Sequence, residues 1–374
     1  MLEARRLPSS PSDPVPARLA VLDGLRGVAA ICVIGYHEAG LHGGVGLLGT
    51  SYLAVDFFFL LSGFVLTRAF EARFATGMTT AKFMLLRARR LYPLMALAAV
   101  IGAIEVLLRA PSANLPTALV RHLLFLPVME PGRQLFELNG AQWSLLLELI
   151  ANLAHVALLW RMSTRLVGLA SAACAILLLG FGLHYGTLNL GWTGSGAWLG
   201  LARVGCSYGL GIVLARVLPS RIAPTGMTWR LPFALLPAAI LASALVPGER
   251  GAVVAQWLTV VLAFPAIFLV ALGAEAGARA NAFLSWIGTL SFPLYAIHLP
   301  LLMLLGQAAA GQPASAWLRA GSLLAVLAGA MLLSRTLSAP RRPAGSQADR
   351  PVDHPGAVPA VRLAPAPVGV RAEP

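Results

Sequence analysis

Arg26 and His37 stand eleven residues apart in LDGLRGVAAICVIGYHEAG (22–40), a stretch that is otherwise nearly all apolar or small. At about 100° per residue the two return to within about 20° of one helix face, about 16 Å apart along the axis. An imidazole titrates near neutral pH and can take a proton, while a guanidinium binds oxyanions. Such a pair can line one polar path through a membrane. It can equally be a snorkelling Arg and a capping His at the two interfaces.

Four further groups carry the same kind of information. Asp56 precedes the aromatic run of SYLAVDFFFLLSGFVLTRAF (51–70), where an unpaired carboxylate is costly and needs a basic or hydroxyl partner. Structural pairing and direct chemistry are both open to it, and Ser62-Gly63 downstream is a small-residue packing point. Arg87 and Arg90 in AKFMLLRARRLYP (81–93) are three apart and share a helix face. Two guanidinium forks side by side suit phosphate groups, although a plain topology signal has the same composition. In WSLLLELIANLAHVALLW (143–160), Ser144, Glu148, Asn152 and His155 form one polar stripe on an apolar helix. It faces either a polar cavity or neighbouring helices as hydrogen-bond glue. Tyr295 and His298 face together in LSFPLYAIHLPLL (290–302), beside Pro293 and Pro300, which free backbone carbonyls. Cys32, Cys174 and Cys206 lie in separate apolar segments with no metal-ligand spacing and read as small buried hydrophobes.

The elements that must position these groups follow from composition. The chain has 374 residues, 58% hydrophobic and 11% charged, with a net charge of +13. That apolar share excludes a disordered chain, a disulfide scaffold and an ordinary soluble enzyme. The fold class expected is all-α, a polytopic membrane protein with about ten transmembrane helices of about 20 residues each. They are placed at 21–40, 51–70, 92–109, 143–161, 166–184, 197–216, 231–247, 252–272, 286–306 and 318–337. Residues 1–18 read as a cytosolic lead-in, 19–338 as the membrane domain and 339–374 as a disordered Pro/Ala/Arg-rich cytosolic tail. The connection 111–142 is long, semi-polar and a candidate re-entrant piece. With both termini cytoplasmic, 21 of the 28 Lys and Arg residues fall on the inner side. The positive-inside rule therefore favours an even count and explains most of the charge excess.

In this order, LDGLRGVAAICVIGYH, AVDFFFLLSGFVLTR, RARRLYP, WSLLLELIANL and LSFPLYAIHLPLL resemble the acyltransferase 3 family of multipass membrane proteins. The resemblance implies transfer of an acyl group, often acetyl, from an acyl-CoA to a hydroxyl of a carbohydrate-type acceptor. Surface polysaccharides and glycolipids are such acceptors, and the implied location is the bacterial cytoplasmic membrane. By matching positions the family's Arg-x10-His pair is Arg26 and His37, its Arg-x-x-Arg pair Arg87 and Arg90, and its acidic residue after the WSL motif Glu148. One departure is the last helix, where RTLSAPRRP (335–343) lacks the acidic residue the family often carries there.

The resulting expectation is an O-acyltransferase with His37 as base or acyl carrier, oriented by Asp56 or Glu148. Arg87 and Arg90 hold the phosphates of acyl-CoA, and Arg26 steadies the pyrophosphate or the thioester carbonyl. The donor is a co-substrate; no resident cofactor, metal or nucleic-acid partner is expected. A transporter or flippase for a polar lipid or glycan is the alternative, and the lack of a visible internal repeat speaks mildly against it.

Overall fold

A computed structural model describes residues 17–42, 44, 46–109, 114–219, 222–308 and 316–338. The lead-in before Ala17 and the tail from 339 lie outside the described residues. Among the described residues the chain is all-helical apart from isolated bridges. The α-helices are α1 (Ala17–Leu41), α2 (Ala54–Ala75), α3 (Thr80–Arg109), α4 (Leu115–Leu123), α5 (Gln142–Ala157) and α6 (Thr164–Tyr185). They continue as α7 (Leu199–Val217), α8 (Arg230–Ala244), α9 (Glu249–Leu258), α10 (Phe264–Gly273), α11 (Ala278–Ala308) and α12 (Ala316–Ser338). A π-turn at Thr259–Ala263 joins α9 to α10 in one apolar stretch.

Every expected span falls on helix, yet among the described residues seven helical stretches are long and apolar enough to cross a membrane. They contain α1, α2, α3, α6, α7, the α9–α10 pair and α11. The difference from about ten lies in three elements. Helix α8 is apolar but has only 15 residues, and α12 is apolar over Arg319–Ser334 within its 23 residues. Helix α5 has 16 residues, about 24 Å at 1.5 Å per residue, against about 30 Å of hydrocarbon.

Two helix crossings set the site. Helices α1 and α11 meet at Gly27, where any Cβ would overlap the Ile287 side chain. This close approach puts the Arg26–His37 helix against the Tyr295–His298 helix. Helices α2 and α7 meet at Gly63 and Gly211, each lying against a carbonyl of the other helix (Tyr208 and Leu60). Small residues of this kind let backbones come together where lipid supplies no hydrophobic drive.

The 111–142 connection is the least regular part. After α4 it continues as a loop that is exposed at 129–134 and buries Val128, Leu135, Phe136, Leu138 and Asn139. Its backbone pairs with the 187–198 loop through Leu135 N to the Trp192 carbonyl and Gly194 N to the Arg133 carbonyl. Helix α11 runs unbroken through Pro293 and Pro300. Pro300 has no N–H for the Ala296 carbonyl; Asn139 Nδ2 donates to that carbonyl instead, at 3.1 Å. Irregular backbone buried in protein is thus satisfied by side chains, as a membrane interior requires.

Candidate active site

Helix α3 brings Arg87 into the bundle, and α5 brings Glu148 to meet it. Arg87 Nη2 donates to Glu148 Oε1 at 2.6 Å, and Ser62 Oγ of α2 donates to the same oxygen at 2.8 Å. Arg87 is 7% exposed, and its Nε is buried with no hydrogen-bond partner among the described residues.

These groups border a cavity of about 110 Å³. Arg26 of α1 and Arg90 of α3 line it too, with Phe58, Phe59 and Phe292 as apolar wall. Four of the six sequence-predicted site residues, Arg26, Arg87, Arg90 and Glu148, therefore converge on one space from three helices. Arg26 also lies 3.5 Å from Asp23 one turn back, a partly exposed pair of small energetic weight.

On the far side of the cavity stands Tyr295. Its hydroxyl is 2.5 Å from Ser144 Oγ, and both residues line the space. The Tyr295 ring is 5.6 Å from that of His298, which in turn is 5.2 Å from the ring of His37. His37 is thus outside the lining of the cavity, two ring contacts beyond it. Phe58, which also lines the cavity, packs edge-on to Tyr295 at 5.5 Å.

Asp56 does not join either group. Its carboxylate is held by Arg203 of α7, Nη2 to Oδ2 at 2.6 Å, and by Ser207 Oγ at 3.4 Å. Arg203 is completely buried, gives Nη1 to the Leu190 carbonyl, and lies over the rings of Tyr52 and Trp143. Of the two roles open to Asp56 from sequence, the geometry is that of structural pairing. The orienting role toward His37 finds no contact to support it.

The polar stripe of α5 divides between its two readings. Ser144 and Glu148 face the cavity. Asn152 and His155 are glue: Tyr208 Oη donates to Asn152 Oδ1 at 3.2 Å, and His155 bridges Tyr208 and Glu71 at 2.9 and 3.1 Å. Arg216 grips Glu71 with Nε and Nη2 and also donates to the carbonyls of Leu159 and Met162. Arg216 is thus a cap for the chain after α5. The three cysteines are free thiols, Cys206 buried and the other two half-buried.

Arg203 and Ser62 are the residues that sequence reasoning missed. Arg203 and Ser207 are four apart on one face of α7, the i, i+4 signal of a shared polar partner. Ser62 was visible only as a small packing residue.

Comparison with known proteins agrees with this architecture. The acyltransferase domain family, Acyl_transf_3, matches residues 19–335. The chain is 36% identical over 185 residues to "Protein 2 in picA locus" of Rhizobium radiobacter, covering 44% of this chain and 94% of that relative. No solved structure matches. The chain belongs to the acyltransferase 3 family and is a multi-pass membrane O-acyltransferase.

Proposed function

We propose that the enzyme moves an acyl group, acetyl in the simplest case, from cytosolic acyl-CoA to a hydroxyl of a carbohydrate-type acceptor. Surface polysaccharide or glycolipid is the acceptor class, and the bacterial cytoplasmic membrane the location. The observation that carries this reading is the convergence of Arg26, Arg87, Arg90 and Glu148 on one cavity that ends at Tyr295, with His37 beyond.

The arginine-rich end of the bundle is cytoplasmic by the positive-inside rule, with the amino terminus on that side. A donor coming from there meets exposed Arg90 first. A cavity of about 110 Å³ is smaller than the several hundred Å³ of a typical ligand pocket, so it takes the acyl end rather than the whole donor. The phosphates stay at the mouth on exposed Arg90, with the buried Arg87 charge behind it. Glu148 holds Arg87 in place, and Ser62 holds Glu148.

Transfer then runs as follows. His37 takes the proton of the acceptor hydroxyl. The freed oxygen pair forms the C–O bond to the acyl carbon, and the C–S bond breaks with its electrons on sulfur. The CoA thiolate leaves and recovers a proton from the imidazolium by way of solvent. Arg26 and the Ser144–Tyr295 hydroxyl pair line the path and favour negative charge on the acyl oxygen. The Phe58, Phe59 and Phe292 wall keeps water from the thioester.

Deletion of the gene followed by mass spectrometry of envelope glycans and lipids tests the reading. The expected result is loss of about 42 daltons per modified hydroxyl, the mass of acetyl replacing hydrogen, restored by the wild-type gene and not by His37→Ala. An envelope with the same acyl content after deletion would contradict it.

A further inference from the structure

The cavity is built in two tiers, one helical turn apart. Ser62 of α2 and Glu148 of α5 meet at the charged tier, where Arg87 joins them. Four residues earlier on the same two helices stand Phe58 and Ser144, and both line the cavity as well. Ser144 Oγ is 2.5 Å from the Tyr295 hydroxyl, which brings α11 into this second tier. The Phe58 ring packs edge-on to that of Tyr295 at 5.5 Å. Four helical residues rise about 6 Å. A C–C bond is about 1.5 Å long, so about four carbons fill the distance between the tiers.

The second tier is the buried end. Ser144 and Tyr295 are buried there, as are the neighbouring lining residues Val55 and Leu145. The exposed lining residues are Val65, three past Ser62 on α2, and Arg90, three past Arg87 on α3. A donor whose thioester lies among the arginines therefore points the far end of its acyl chain at Phe58 and the Ser144–Tyr295 pair. Acetyl stops short of them. A chain of about six carbons or more overruns the turn between the tiers. It has to displace the Phe58 ring or press methylenes against two hydroxyls already bonded to each other. Overfilling of this kind is unfavourable, because a packed interior leaves few gaps larger than a water.

We propose that Phe58 is a specificity-determining residue for the donor: with the Ser144–Tyr295 pair beside it, its ring limits the transferred acyl group to about four carbons. This rests on the acyltransfer reading above and adds the size class of the acyl group and the residue that sets it.

The experiment uses the purified full-length enzyme in nanodiscs and envelope material from the deletion strain as acceptor. The donors are acetyl-, butyryl-, hexanoyl- and octanoyl-CoA, each radiolabelled in the acyl group. Wild type transfers acetyl and butyryl, and its kcat/KM falls about tenfold or more from butyryl to hexanoyl. Phe58→Ala removes the ring and raises the hexanoyl-to-acetyl ratio of kcat/KM about tenfold or more above wild type. Phe58→Leu moves the ratio the same way by a smaller factor and covers the case in which Phe58→Ala fails to fold. Transfer of octanoyl by wild type as efficiently as acetyl would overturn the proposal. So would an equal loss for all four donors in the folded Phe58 variants, which is what a merely structural role gives. If wild type labels the envelope from none of the four donors, the acyltransfer reading itself fails, and the two failures are distinct.

Discussion

Asp56 of α2 and Arg203 of α7 form an ion pair with both side chains essentially shielded from solvent, Oδ2 to Nη2 at 2.6 Å. It ties together the two helices that cross at Gly63 and Gly211, and so fixes the placement of Ser62 beside Glu148. Removing one partner leaves an uncompensated buried charge, a loss of about 3–5 kcal/mol. Arg203→Ala and Asp56→Ala should each lower the thermal midpoint in detergent by many degrees. The double variant Asp56→Leu with Arg203→Met should recover a large part of that loss, since an apolar pair needs no desolvation. Additive losses in the double variant would count against a pairing role.

Arg87 and Arg90 share a helix face but not an environment. Arg87 is buried on Glu148, whereas Arg90 is exposed at the cavity edge. Arg90→Ala should therefore raise the apparent KM for acyl-CoA about tenfold or more with an unchanged thermal midpoint. Arg87→Ala should weaken donor binding and lower stability together, because Glu148 loses its charged partner. Steady-state kinetics beside thermal unfolding separates the two, and an Arg90→Ala enzyme with wild-type donor KM would leave Arg90 as a topology signal.

The Ala296 carbonyl exposed by Pro300 and capped by Asn139 makes a second coupled pair. Asn139→Leu should cost about 1–3 kcal/mol, the price of a buried carbonyl without a donor. Pro300→Ala supplies a helical N–H to the same carbonyl, so Asn139→Leu should be markedly less harmful in that background. A double-mutant cycle of thermal stabilities measures the coupling; zero interaction energy would refute it.

His122 gives the loop a pH dependence. Its Nδ1 faces the Ala118 carbonyl at 2.9 Å, and its Nε2 accepts from the amides of Leu138 and Asn139 at 3.0 and 3.1 Å. Burial pushes the imidazole below its ordinary value, outweighing the Ala118 carbonyl and Glu137. The folded loop thus needs the neutral ring, and the unfolded chain binds more protons. The stabilisation is complete above the ordinary histidine value of about 6.5 and is lost as pH falls below it. Hydrogen exchange of peptides covering 134–141, corrected for the intrinsic rate, should show protection falling below about pH 6.5 in wild type. In His122→Gln it should stay flat. A flat wild-type profile would contradict the assignment.

What the sequence disclosed and what it withheld follow the range of the interactions. Apolar runs located the helices other than α4, because a membrane interior demands them locally. The Arg87–Arg90 spacing and the Ser144–Glu148 half of the α5 stripe were legible because helical periodicity alone puts them on one face. The partner of Asp56 was not, since Arg203 lies 147 positions away and pairing at that distance leaves no local pattern. The fold-back of the 124–141 loop was equally hidden: its order comes from backbone pairing with the 187–198 loop and from His122 and Asn139. Helix α5 shows the limit of span counting, because an apolar run of spanning length folds here into a helix of only 16 residues.

Acyl transfer to the acceptor hydroxyl depends on the imidazole of His37 as the base that takes its proton. The most direct test is label transfer from radiolabelled acetyl-CoA to deletion-strain envelope by purified wild type and by His37→Ala, each verified as folded by its thermal midpoint. The account predicts transfer by wild type and a loss of about a hundredfold or more in His37→Ala, with acetyl-CoA still bound. Wild-type turnover by a folded His37→Ala enzyme would contradict it.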